Sequence, residues 1–335
     1  MCIYNAYILF SEQDLDQTAK TLVHSSIRPS TRKVYDSAQN SYLSFCTQYG
    51  FLPFPPEERI LLLYVAFLFR KNNRAATIKV YMSAVRFMAI ENHFNYQVFD
   101  SPRIKMAIRS VEIGQLPPKQ KLPITLNILQ RFYEVMSVKF SDYTCLLMWT
   151  SMCVAHFACL RSGEFTVKNS TMFDKNCNLT VDDVRKLDPT KKCYVLNLKH
   201  SKTDKSNRGV QIVLACNGQK VCPYCSLEMY LKVRSESEVA QSPDSPLFLL
   251  PGGAPLTRNV LINNLRIYLA SIGIPPDNYS GHSFRAGGAT SAALSGLKDW
   301  EIKHIGRWKS EAYQKYIRPS LSQIYNLSVK RSNNQ

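Results

Sequence analysis

GHSFRAGGATSAALSGLKDWEIKHIGRWKSEAYQKYIRPS, Gly281 to Ser320, gathers two His, three Arg, two Trp and two Tyr within forty residues. His282 and Arg285 stand three positions apart, one turn on a shared helix face, so both can meet the same oxygen or phosphate. Gly306, Arg307 and Trp308 follow. Trp308 supplies an indole N–H, a donor only. Tyr316 comes eight residues later, beside Lys315 and just before Arg318. Taken alone, H-x-x-R is a weak pattern that chance produces often.

Two further islands lie upstream. In ACLRSGEF (158–165), Arg161 emerges directly from an apolar helix and Glu164 follows three residues later. Such an Arg is rigidly held, and Glu164 can orient it through a bidentate ion pair. The ordinary alternative is a purely structural Arg–Glu pair. LNLKHSKTDKSNRG (196–209) reads as strand, polar turn and return strand, with Lys202 on the turn. A Lys there can protonate a leaving oxygen or touch a phosphate. An exposed, charged hairpin tip is the common alternative.

Together the islands make a coherent reaction centre. A phenol titrates near pH 10, so a Tyr nucleophile needs a positive pocket and a proton acceptor. Two Arg side chains clamp the non-bridging oxygens of a phosphodiester as charge builds in the transition state. His282 and the Trp308 N–H add donors, and Lys202 protonates the departing 5′ oxygen. The arginines supply the countercharge, so the chemistry needs no metal or other cofactor.

The bulk properties agree. Of 335 residues 45% are apolar, enough for two ordinary cores, and the net charge is +17. That excess points to a polyanionic partner, nucleic acid before acidic membrane. Ten scattered cysteines without a framework fit a reducing compartment. The N-terminal MCIYNAYILFSEQDLD has no basic leader region or cleavage site, which argues against secretion. Tyr143–Leu160 carries no formal charge over 18 residues, but its Thr, Ser and His side chains and the adjoining Arg161 favour a buried core helix over a membrane span. Cys216, Cys222 and Cys225 hold one C-x-x-C pair. Without a second pair they read as thiols before a helix, not as zinc ligands.

Periodicity predicts a mainly α protein with a small antiparallel β-sheet. Residues 1–113 form an N-terminal helical bundle: a helix capped by Ser30 or Thr31 and ending at Gly50, one starting in PFPPEER, one over Ala75–Asn92, and a fourth over Arg103–Val111. GQLPPKQKLPI, 114–124, is an extended basic linker, and Thr125 caps the next helix. Residues 125–335 form an α+β domain. Its expected strands are Leu179–Val181, Tyr194–Leu198 and Val210–Leu214, and its expected helices cover 142–160, 222–234, 257–271, 283–294, 299–306 and 310–317. Thirteen basic residues stand against nine acidic ones before 114, and 29 against 16 after it, so both halves can grip a polyanion.

No acid lies between Arg59 and Glu91, while Arg70, Lys71, Arg74, Lys79 and Arg86 all do, interleaved with Thr77, Tyr81 and Ser83. Bases suit phosphates and short polar groups suit base edges or sugars, so Arg70, Lys71, Arg74, Lys79, Tyr81 and Arg86 are candidate DNA contacts, with Lys119 and Lys121 of the linker. A solvated amphipathic face is the equal alternative.

The order Arg…Lys…His-x-x-Arg…Trp…Tyr resembles the tyrosine recombinase (phage integrase) family over nearly the whole chain. The resemblance implies an N-terminal core-binding domain and a catalytic domain. In it Arg161 is the first catalytic Arg, Glu164 its supporting acid, Lys202 the hairpin Lys, His282 and Arg285 the H-x-x-R box, Trp308 the His/Trp position and Tyr316 the nucleophile. Tyr313 remains a rival to Tyr316, and Lys199 and Lys205 to Lys202. HSKTD, GHSFRAGGATSAA and IGRWKSEAYQKYIR resemble the eukaryotic mobile-element members, DIRS-like and Crypton, which implies a nuclear protein, or a cytoplasmic one outside eukaryotes. The implied activity is site-specific breakage and rejoining of double-stranded DNA, for integration or excision, by a homotetramer on two DNA sites. The tail after Arg318 has a short apolar stripe that can swap between protomers or pack on its own domain. The alternatives are a catalytically silent, recombinase-derived DNA-binding protein and a type IB topoisomerase.

Overall fold

Pro29, not Ser30 or Thr31, opens the first long helix of the bundle. The computed structural model, which describes residues 10–117, 119–188, 190–201, 208–236, 242–319 and 321–333, makes Arg28 the N-cap and Pro29 the first helical residue. A Pro ring holds φ at a helical value and lacks the N–H that the first turn would leave unpaired, so the helix starts there. The chain divides into two compact units, Met1–Pro118 and Lys119–Gln335.

Among its described residues the first unit holds helices and no strand. Helix α1, Glu12–His24, opens with a capping box between Ser11 and Asp14 and buries none of its residues. It lies outside the elements expected from the sequence, although Leu15, Ala19, Leu22 and Val23 stand at helical spacing and stay exposed. α2 (Pro29–Tyr49) ends at Gly50, whose φ of +67° is the left-handed turn that glycine tolerates. α3 (Glu58–Arg70), α4 (Ala75–Glu91) and α5 (Pro102–Ile113) complete the bundle. Tyr42, Phe45, Leu61, Tyr64, Leu68, Ile78, Val85 and Ile104 fill its core. Each large side chain so buried contributes about 1.5–3 kcal/mol. Arg32 joins α2 to α4 through Glu91, at 3.0 Å.

In the second unit, the Thr125 hydroxyl accepts from the Ile128 N–H and caps α6, Leu126–Met136, as expected. α7, Tyr143–Phe157, is buried continuously from Cys145 to His156. Its apolar run is thus a central core helix, packed by α6, by α9 (Pro223–Glu236) and by α11 (His282–Leu294). Among the described residues no helix is long and apolar enough to cross a membrane. Its polar groups are satisfied inside: Trp149 donates to Ser226 Oγ at 2.8 Å and Thr150 to the Ser226 carbonyl at 3.1 Å. His156 Nδ1 lies 3.0 Å from the Ile124 carbonyl oxygen, and burial pushes its pKa down to about 4.

α8 is the single turn Ser162–Phe165. The sheet is three antiparallel strands in the order β1 (Val184–Asp188), β2 (Lys191–Leu198), β3 (Val210–Ala215), with Val184 opposite Leu196 and Leu196 opposite Ile212. Of the strand expected at Leu179–Val181 one isolated antiparallel bridge forms, Thr180 to Pro246, outside the sheet. Thr180 caps a 3₁₀ turn by binding the Asp183 carboxylate from its N–H and hydroxyl, and β1 begins only at Val184. Thr-x-x-Asp is turn chemistry, and it overrides the β-propensity of Leu, Thr and Val. α10 (Arg258–Ser271), α12 (Asp299–Gly306) and α13 (Leu321–Asn333) complete the unit. The helix expected over 310–317 is a 3₁₀ segment, Glu311–Tyr316. The architecture is mainly α with one small antiparallel sheet, as the sequence predicts.

Candidate active site

The site is built on the C-terminal end of α7. The last carbonyls of a helix have no partner within it and carry partial negative charge. Here Cys159 takes a left-handed φ of +47° and turns the chain out. The Ala158 and Cys159 carbonyls accept from two arginines of the C-terminal segment: Arg307 Nη1 reaches Ala158 at 2.8 Å, and Arg285 Nη1 reaches Cys159 at 2.5 Å.

Arg161 follows one residue beyond Leu160, as the N-cap of α8. Its Nη1 donates to Glu164 Oε1 at 2.8 Å, and its backbone N–H to Glu164 Oε2 at 2.9 Å. Glu164 also accepts from Arg307 Nη2 at 2.9 Å and from Ser201 Oγ at 3.2 Å. Burial alone would raise the Glu164 pKa. Arg307, the Arg161 backbone N–H and the Arg161 guanidinium outweigh it and hold the carboxyl below its usual range. Glu164 is therefore an ionised bridge between two guanidiniums.

Small residues bring α11 onto this corner. A Cβ on Gly281 would meet Ser162 Cβ at 2.7 Å, and one on Gly288 would meet the His156 carbonyl oxygen at 2.3 Å. That approach lets Arg285, 0% exposed, span from the Cys159 carbonyl to the Gly306 carbonyl at 2.6 Å. The Trp308 ring covers it, with the guanidinium carbon 4.2 Å from the ring centre, and the Tyr316 ring centre is 5.6 Å away. Burial, then Arg161 and Arg307, lower the Arg285 pKa to about 10, which leaves it a cation at neutral pH. Among the described residues, three buried donors in this cluster have no partner: Arg285 Nε, Arg307 Nε and Trp308 Nε1.

Tyr313 and Tyr316 differ in setting. Tyr313 is 1% exposed and belongs to a small apolar cluster with Cys159, Ala289, Ile302 and Trp308. Tyr316 is half-buried, 5.4 Å from Trp308 ring to ring. Its backbone is pinned by Thr290, which donates to the Tyr316 carbonyl at 3.0 Å and accepts from the Arg318 N–H at 2.9 Å.

Arg161, Glu164, Arg285, Trp308 and Tyr316 are thus one cluster. His282 starts α11 beside the α8 turn but is exposed, whereas Arg285, one turn on, is buried. Lys202 and its rival Lys205 lie outside the described residues. Ser201, immediately before Lys202, is buried and also accepts from Arg161 Nη1 at 3.3 Å. Lys199 is tied to Asp183 at 2.8 Å and to Thr180. Sequence reasoning missed three members: Arg307, Ser201 and Thr290. Arg307 stood in the Gly-Arg-Trp motif, and its left-handed φ of +58° points it back under the site. A cleft of about 780 Å³ adjoins the cluster, and Ser201, Arg208, Lys303, His304, Arg307 and Lys309 are among its lining residues. The cations that line it, with the buried N–H donors of the cluster, suit a phosphodiester.

The candidate DNA contacts of the first unit separate into two sets. Lys79 is paired with Glu112 at 2.7 Å, and Arg86 with Asp100 at 2.9 Å. Arg70, Lys71 and Arg74 are exposed where α3 turns into α4, and Tyr81 is half-buried against the core. Lys119 and Lys121 are exposed in the second unit. Residues 121–124 are not a free linker: Lys121 Nζ donates to Asp277, Leu122 N–H to Asn278 and Ile124 N–H to Ser283, through backbone carbonyls.

No protein-family model matches the chain, and a search of curated proteins returns no match. Solved structures do match. A XerH site-specific recombinase bound to palindromic difH substrate, a post-cleavage complex, aligns with a TM-score of 0.62 at 15% identity, covering 95% of this chain and 84% of that one. A Tn1549 transposon integrase in complex with transposon right end DNA gives 0.60 at 15% identity, covering 94% and 98%. A lambda integrase dimer bound to a COC′ core site gives 0.55 at 16% identity, covering 91% and 94%. The chain has the fold of these tyrosine recombinases and integrases.

Proposed function

We propose that a chain with this fold and this cluster is a site-specific DNA recombinase that works through a covalent phosphotyrosine. The observation that carries the reading is the arrangement of the half-buried Tyr316 against Trp308 and Arg285, at the corner where Glu164 orients Arg161. Tyr316 Oη attacks the phosphorus, the P–O5′ bond breaks, and a 3′-phosphotyrosyl ester and a 5′-hydroxyl result. Arg161 and Arg285 stabilise the charge on the non-bridging oxygens, and the Trp308 N–H and His282 add donors. Lys202 protonates the leaving oxygen. The 5′-hydroxyl of a partner strand then displaces Tyr316, so bond energy is conserved without ATP. Trp308 covers Arg285 in the state described here, so binding DNA must shift the Trp308–Tyr316 segment to expose it.

The substrate is double-stranded DNA, gripped through Arg70, Lys71 and Arg74 in the first unit and through the cleft in the second. The motif phrasing supports a mobile-element enzyme, integrating or excising DNA in a nucleus as a tetramer on two sites. The test is covalent trapping on nicked suicide duplexes from a random pool or from the element's own ends. Wild-type protein gives an SDS-resistant adduct, Tyr316→Phe gives none, and Tyr313→Phe retains it. An adduct that survives Tyr316→Phe transfers the role to Tyr313. Salt-sensitive DNA binding with no adduct on a pool containing the site indicates the silent DNA-binding protein.

A further inference from the structure

The connection from β3 to α9 carries three cysteines that the reaction does not use. The Sγ atoms of Cys216, Cys222 and Cys225 all lie within 4.8 Å of one another, and those of Cys216 and Cys225 are 3.8 Å apart. A tetrahedral Zn²⁺ with Zn–S bonds of about 2.3 Å holds two thiolates about 3.8 Å apart. A disulfide needs about 2.05 Å. The sequence showed one C-x-x-C pair, and the fold adds Cys216 to it from the end of the sheet.

The loop that presents them is held in place. The Cys216 N–H donates to the Lys192 carbonyl at 2.8 Å, extending the β2–β3 ladder. Asn217 bridges the turn, donating to Val221 O at 2.9 Å and accepting from the Gln219 N–H at 3.0 Å, and Gly218 takes a φ of +68°. Cys222 is fully buried immediately before Pro223, the first residue of α9, and Cys225 lies in the first turn. The Cys225 N–H points at Cys222 Sγ, 3.5 Å away. Against burial, backbone donors hold the Cys222 thiol below its usual range, whereas burial and then the neighbouring thiols push Cys225 up to about 12, so Cys225 gives up its proton only to a metal. Cys216 is half-buried and Cys225 exposed, so the cluster opens to solvent on one side.

We propose that Cys216, Cys222 and Cys225 bind one Zn²⁺ as three thiolates, with water in the fourth position. Three soft sulfur ligands select zinc over the hard, oxygen-preferring Mg²⁺ and Ca²⁺. Each thiol releases its proton as the metal binds. The ion staples the end of β3 to the start of α9. β3 pairs with β2 along its length, and β2 ends at Leu198, three residues before Ser201, so the staple steadies the sheet beside which Ser201 meets Arg161.

The experiment uses the full chain, purified under reducing conditions, stripped with a chelator, reloaded with Zn²⁺ and desalted. Elemental analysis finds about one zinc per chain. Cys216→Ser and Cys225→Ser each lower the retained zinc about tenfold or more, with circular dichroism unchanged. Cys177→Ser, at an exposed cysteine outside the cluster, leaves it as it was. Co²⁺ in place of Zn²⁺ gives sulfur-to-cobalt charge-transfer and tetrahedral ligand-field bands, which Cys225→Ser removes. Folded wild-type protein that retains no zinc and shows no such bands overturns the proposal. Zinc retained in full by both serine variants, or a Cys216–Cys225 disulfide that persists while zinc stays excluded after reduction, overturns it as well.

Discussion

The two units use basic side chains in opposite ways. At the end of α7, Arg161, Arg285 and Arg307 are withdrawn from water, held by backbone carbonyls and by one carboxylate. In the first unit, Lys79 and Arg86 sit at the surface against Glu112 and Asp100, while Arg70, Lys71 and Arg74 face solvent. A count of charges treats these sets alike. Burial separates them. A desolvated cation with fixed partners keeps its geometry and loses heavily when a partner goes, whereas an exposed pair is screened and contributes little.

The sharpest way to break this contrast is at Glu164. Glu164→Gln leaves Arg161 and Arg307 without their shared countercharge, and urea unfolding should show a loss of about 3–5 kcal/mol. A loss below 1 kcal/mol would place the buried cluster in the same class as the surface pairs.

Acid tests the same corner from the next turn of α7. His156 has a folded pKa of about 4 against an ordinary 6.5. The unfolded chain therefore binds the extra proton first, and stability falls as pH drops from 6.5 towards 4, by about 3 kcal/mol in total. His156→Gln should remove that slope. Glu164, whose pKa is lowered, adds a further loss only below the ordinary carboxylate range, as pH falls through its folded value.

Thr290→Val should cost about 1 kcal/mol in stability. It removes both bonds that place the Tyr316–Arg318 backbone, so covalent capture of DNA should fall further than the melting temperature suggests. Equal and small effects on both would make Thr290 a packing residue. The smallest effects belong to Lys79→Ala and Arg86→Ala, each within about 1 kcal/mol of wild type. Arg70→Ala and Arg74→Ala should leave stability unchanged but weaken DNA binding uniformly across sequences, each reducing the salt slope by about one.

The legibility of the fold follows the same physics. α2, α4, α6 and α7 announce themselves by apolar spacing and by Gly50 or Thr125 at their ends. α1 is the weaker case: the Ser11–Asp14 box and the Leu15, Ala19, Leu22, Val23 stripe are there, but the helix buries none of its residues. The first sheet strand begins at Val184 and not at Leu179 because Thr180 and Asp183 close a local turn between them. In the site, Arg161, Glu164, Arg285, Trp308 and Tyr316 were readable as residue types in an order. The part of Arg307 was not, since it depends on a left-handed backbone at one position and on carbonyls 149 and 148 residues away. Nor were the Lys79–Glu112 and Arg86–Asp100 pairs, which join helices that sequence windows treat separately.

Gly306 and the Trp308 ring share one volume. A Cβ on Gly306 would lie 1.5 Å from the indole ring, so the six-membered edge of Trp308 occupies the volume that any other residue's side chain would need. The two positions are therefore bound as lock and key in mutational space. A side chain at 306 evicts the lid of Arg285, and a smaller residue at 308 opens a void beneath it.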